Sequence, residues 1–94
     1  MGSFEDAKKL FICILIELGF SVDAVFENSG LIFFDLNKGI DIETNHQIIS
    51  YFYKKIGISS LHCNFVVQND CIRCCVLKDV FWLYQDCFYL ENFE

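Results

Sequence analysis

From residue 4 to residue 18 the apolar positions return at intervals of three and four. Phe4, Ala7, Leu10, Phe11, Ile14, Leu15 and Leu18 share one stripe of a helix. Ser3 stands where a capping hydroxyl is wanted, and Gly19 where a residue with positive φ ends a helix. Ile12, Cys13 and Ile16 widen the apolar surface beyond that stripe. Such a helix is expected to be covered on two sides. The period then drops to two. Over 20–27 the alternation predicts a strand with Phe20, Val22, Ala24 and Phe26 inward and Ser21, Asp23, Val25 and Glu27 outward. Asn28-Ser29-Gly30 reads as a three-residue hairpin loop that sets Glu27 opposite Leu31. Ile32, Phe34 and Leu36 then join the inner face; Leu31, Phe33 and Asp35 join the outer one.

The pattern then recurs. At an offset of 38, Leu10 and Phe11 become Ile48 and Ile49, Ile14, Leu15 and Leu18 become Phe52, Tyr53 and Ile56, and Gly19-Phe20-Ser21 becomes Gly57-Ile58-Ser59. A second helix is expected to end at Gly57, capped at its start by Asp41. The competing reading makes 40–44 a short extra strand and Asn45 the cap. A second hairpin follows. Leu61, Cys63, Phe65 and Val67 face inward, Asn69-Asp70 form the turn, and Ile72, Cys74 and Val76 return on the inner face. Arg73, Cys75 and Leu77 then face outward with Val66. The tail, 78–94, stands outside the repeat and predicts a third, aromatic helix capped by Asp79.

These elements predict one α+β domain over 1–94, with an internal repeat of 3–36 and 41–77. Two αββ units would form a four-stranded, mainly antiparallel sheet with two helices on one face, followed by the C-terminal helix. With the extra strand the order becomes αβββαββα.

Composition sharpens this picture in two ways. The chain is 54% hydrophobic in only 94 residues, more than so small a body hides, so some apolar surface is expected to meet a second copy or a protein partner. Its net charge is −6, and Arg73 is its one arginine. Binding to nucleic acid by direct phosphate contact needs clustered cations and is excluded. Acidity suits a basic protein partner. The apolar run 10–16 is too short to span a bilayer and lacks the flanks of a signal peptide. The six cysteines are therefore read as reduced thiols of a cytoplasmic protein.

Little in the sequence points to chemistry. Cys71-x-x-Cys74 is the one suggestive spacing, but strand parity sends its two thiols to opposite faces, and no second pair completes a zinc site. His62 and Cys63 are strand neighbours and point apart; His46 sits beside Asn45 and Gln47 on a helix. No nucleophile, base and orienting group converge. The expectation is a non-enzyme without metal or cofactor.

The αββαββ order is shared by the LAGLIDADG endonucleases. Their helix motif is absent: the first helix reads Phe11-Ile12-Cys13-Ile14-Leu15-Ile16-Glu17, without a glycine or an acidic pair. With the extra strand, topology and low pI resemble the small acidic dimeric chaperones of bacterial secretion systems, which implies a dimer holding an extended client. The favoured reading is a small acidic protein-binding module acting by occlusion, of the kind phage and viral accessory proteins direct at a host factor. The chaperone-like dimer is its alternative, and a metal or redox protein a third. A homodimer is expected in either of the first two. The surface candidates are Ile12 and Ile16 on the first helix, Val25, Leu31, Phe33 and Val66 on the outer sheet face, and Phe81, Trp82 and Phe88 in the tail.

Overall fold

The first helix ends as its glycine dictates. In the computed structural model, which describes residues 4–37, 42–67 and 71–88, helix α1 runs Phe4–Glu17. Gly19 has φ of 106°. Its N–H donates to the carbonyl of Ile16, and that of Phe20 to the carbonyl of Leu15. This double bond pattern satisfies the last carbonyls of a helix and turns the next side chain back onto it; Phe20 is buried. Helix α2, Ile42–Ile56, ends by the simpler device, a single bond from the Gly57 N–H to the Tyr53 carbonyl at φ of 73°. Because 42–44 are helical, the extra strand over 40–44 does not form there. The expected caps Ser3 and Asp41 lie outside the described residues.

Each helix leads into an antiparallel hairpin: β1 (Ser21–Asn28) with β2 (Leu31–Asn37), and β3 (Cys63–Val67) with β4 (Cys71–Leu77). The second strands β2 and β4 pair antiparallel at the centre, giving the order β1-β2-β4-β3. The fold is α+β, with a four-stranded antiparallel sheet and a C-terminal helix α3 (Val80–Phe88). The 38-residue spacing does not carry through the hairpins. The helices begin at Phe4 and Ile42, but β2 and β4 begin 40 residues apart, at Leu31 and Cys71. The turn expected at Asn69-Asp70 lies outside the described residues.

The first hairpin corrects the expected register. Asn28 pairs with Leu31 and Glu27 with Ile32, so the loop is the two residues Ser29 and Gly30, both with positive φ (54° and 79°). That is the turn whose twist matches paired strands. Relative to a three-residue loop, it turns the far half of β1 over. Val25 faces the core opposite Phe34, and Phe26 faces outward opposite Phe33. A bulge between Val22 and Ala24 turns the near half back, so Val22 packs inward as expected while Ala24 is exposed opposite Asp35. The parity expected of β2, β3 and β4 is the one observed within the strands, where Ile32, Phe34, Leu36, Cys63, Ile72, Cys74 and Val76 are buried; Leu61, expected inward, lies in the turn before β3 and is exposed.

All three helices meet the inner face of the sheet in one core cluster. Phe11 is its centre. Its ring lies 4.9 Å from Phe34 of the sheet, 5.6 Å from Phe52 of α2, and 5.6 and 5.4 Å from Phe81 and Phe88 of α3. The second cover expected for α1 is therefore α3. The outer face of the sheet has no helix on it among the described residues.

Candidate functional site

The fold leaves two separate exposed surfaces, one on the outer face of the sheet and one on α3. On the outer sheet face Phe26 and Phe33 stack at 5.0 Å with planes 19° apart. Arg73 lies over both rings, its guanidinium carbon 5.3 and 5.5 Å from their centroids. Arg73 sits opposite Asp35 in the central strand pair and grips it twice: Nε donates to Oδ1 at 2.7 Å and an Nη to Oδ2 at 3.1 Å. That hydrogen bond, helped by the guanidinium charge, holds the Asp35 carboxyl below its usual pKa. A guanidinium bound twice by one carboxylate is oriented more narrowly than one bound once. Cys75 pairs with Phe33 and Asn64 in the same row, and burial raises its thiol pKa. Val66 is 48% and Leu77 40% exposed.

The second surface follows from the helical period of α3. Val80, Phe81 and Phe88 are buried, which turns Asp79, Trp82, Leu83 and Asp86 outward at intervals of three, one and three. Trp82 is 58% and Leu83 72% exposed. The result is an aromatic ridge with a carboxylate at each end. The neighbouring turn is fastened to the helix. The Ser59 N–H donates to the Tyr84 hydroxyl at 3.3 Å, and His62 Nδ1 lies 3.4 Å from the same oxygen.

The other chemistry-bearing residues are dispersed or enclosed. Cys63 and Cys74 are both buried, their sulfurs in contact at 3.6 Å. Burial is the main reason that the Cys74 thiol pKa is pushed up. The Tyr53 hydroxyl donates to the Cys63 carbonyl at 2.5 Å, and burial pushes its pKa up to about 12. Cys74 faces the core and Cys75 the outer face, as parity required; the Cys71 side chain lies outside the described residues. Among the described residues no three His, Cys, Asp or Glu side chains are placed to hold a metal ion. No described helix is long and apolar enough to cross a membrane.

The surface candidates read from sequence separate into three groups. Phe33, Leu31 and Val66 share the outer sheet face, and Trp82 leads the ridge. Ile16 is exposed on α1, alone of the pair named there, since Ile12 packs against the core. Val25, Phe81 and Phe88 face the core instead: Val25 through the hairpin register, Phe81 and Phe88 because they close over Phe11. Phe26 was missed on the outer face, and reading Ser29-Gly30 as a two-residue turn would have placed it there. Leu83 had no signal of its own, because α3 is apolar at nearly every position. No family model, curated protein or solved structure matches the chain.

Proposed function

We propose that the chain is a non-enzymatic protein-binding module that acts by occlusion, laying the α3 ridge on a basic surface of its partner and covering it. The observation that carries this reading is the ridge itself: an exposed tryptophan and leucine bracketed by Asp79 and Asp86. Large aromatic side chains are the residues that anchor protein interfaces, and flanking carboxylates select a cationic rim and speed its approach. The net charge of −6 acts in the same direction. This is the chemistry by which a small accessory protein of a phage or virus would mask a host factor.

Affinity capture followed by mass spectrometry tests it, run in parallel for the unmodified chain, Trp82→Ala, and the double variant Asp79→Asn with Asp86→Asn. The expected result is a basic protein retained by the unmodified chain and lost by both variants. Adding that protein back should shift the emission of Trp82, the single tryptophan, to the blue. A captured set that is the same for all three chains would overturn the reading.

A further inference from the structure

The outer sheet face is a second and independent surface, and its composition is unlike the rest of the molecule. Among the strand-paired residues of this face the charges are one acid and one base, Asp35 and Arg73, already joined to each other, while the exposed Asp23 stands at the β1 bulge outside the pairing. These paired positions thus contribute nothing to the net charge of −6. Phe33 and Cys75 share the two central strands with that ion pair, Leu77 ends β4, and Phe26 and Val66 stand on the edge strands beside Asn28 and Asn64. Aromatic side chains and an arginine among apolar neighbours are the residue types enriched in protein–protein interfaces.

We propose that this face is the contact surface of a homodimer, in which two copies pack sheet against sheet. Three observations select a second copy over other occupants. A basic partner or an anionic membrane would seek unpaired charge, and the paired positions of this face offer none among the described residues. Nucleic acid needs cations free to meet phosphate, and Arg73 is held by Asp35. Two acidic copies repel each other wherever their carboxylates meet, and this neutral face is where they approach without that cost. The shape agrees. Antiparallel sheets pack face to face about 10 Å apart, with side chains interdigitating. The size agrees as well. Four strands about 4.8 Å apart and about seven residues long at about 3.3 Å each cover roughly 440 Å² in plan. Side-chain relief raises the accessible area above that, toward the small end of specific interfaces, which suits a weak dimer. The α3 ridge, on the other layer, stays open in such a dimer.

The thiols report the contact without any substitution. Cys75 lies within the face, and Cys13 is exposed on α1. Maleimide labelling read by mass spectrometry should slow at Cys75 by at least about fivefold between roughly 1 and 100 µM protein, the range of a micromolar dimer. Labelling at Cys13 should not change. Light scattering should give twice the 11.0 kDa of one chain at the upper concentration. Val66→Lys and Leu77→Lys, each with an unchanged circular dichroism spectrum, should return the single-chain mass, while Ile16→Lys on α1 should not. A single-chain mass at every concentration, a dimer that survives both sheet substitutions, or protection at Cys13 in place of Cys75 would overturn the proposal. None of these results bears on the α3 ridge, which is read by Trp82 alone.

Discussion

Phe11 shows how much one side chain carries in a chain this small. Its ring is fully buried and touches one ring from the sheet, one from α2 and two from α3. Phe11→Ala removes the centre of that cluster and should cost about 3–5 kcal/mol, a large share of the about 5–15 kcal/mol that holds a domain together. Urea denaturation followed by circular dichroism checks this, and Phe11→Leu should recover most of the loss. Two titrating groups make opposite predictions at the ends of the pH scale. Asp35 is held below its ordinary pKa by Arg73. Its contribution is therefore present above the unfolded value, near about 4, and is lost as pH falls through the lowered folded value. Asp35→Asn should cost on the order of 0.5–1 kcal/mol at neutral pH, the scale of a half-exposed pair, and nothing below that window. Denaturation midpoints at the two pH values decide it. The Tyr53 phenol is pushed up to about 12 by burial. Its contribution is whole below the unfolded value, near about 10, and fades as pH rises toward about 12. Absorbance titration should show one tyrosine ionising late, and Tyr53→Phe should remove that step.

At the scale of elements the β1–β2 hairpin is the informative one. A single residue of loop length decides which face Val25 and Phe26 take, because side chains alternate with a period of two. Ser29 and Gly30 both adopt positive φ, a conformation that favours Asn and Gly and penalises other side chains. Ser29→Asn should therefore stabilise the protein by a few tenths of a kcal/mol, and Gly30→Ala should destabilise it by about 1 kcal/mol. Thermal unfolding of the two variants should move in opposite directions. Alternation alone could not reveal the bulge at Asp23, because it leaves Phe20 and Val22 inward, as a regular strand would. It shows only in the exposed Ala24 and in the displaced pairing with β2. The helix ends, by contrast, were legible, since Gly19 and Gly57 each occupy a conformation that other residues rarely adopt.

At the scale of the molecule, α3 completes the core. It supplies Val80, Phe81 and Phe88 to the same cluster as the sheet and the first two helices. A chain ending at Leu77 would leave Phe11 and Phe4 without their α3 partners. It should bind a hydrophobic dye and lose cooperative unfolding, while retaining much of its helical signal. If that truncated chain unfolded as sharply as the full one, α3 would be an appendage and the Phe11 cluster would not be the centre of stability. Charge is distributed on the same scale. Lys8 and Lys78 both meet Glu27, tying α1 and the end of β4 to the edge strand.

The order of helices and strands, the glycine stops, the inward faces of β2, β3 and β4 and the acidic balance were determined by the sequence alone. Each depends on local backbone preference or on a period that any buried face imposes. Only the tertiary structure decided where α3 packs, and with it which residues remain exposed. A helix apolar at nearly every position can bury any of its sides, so nothing local separates Phe81 and Phe88, which close over Phe11, from Trp82 and Leu83, which do not. The same holds for the outer sheet face. Sequence placed Phe33 and Val66 on it, but the hairpin register added Phe26, the pairing of β2 with β4 brought Arg73 to Asp35, and the choice of α3 for the opposite layer left the face open. Contacts between residues far apart in the chain carry no periodic signature, and these are the contacts on which both proposed surfaces rest.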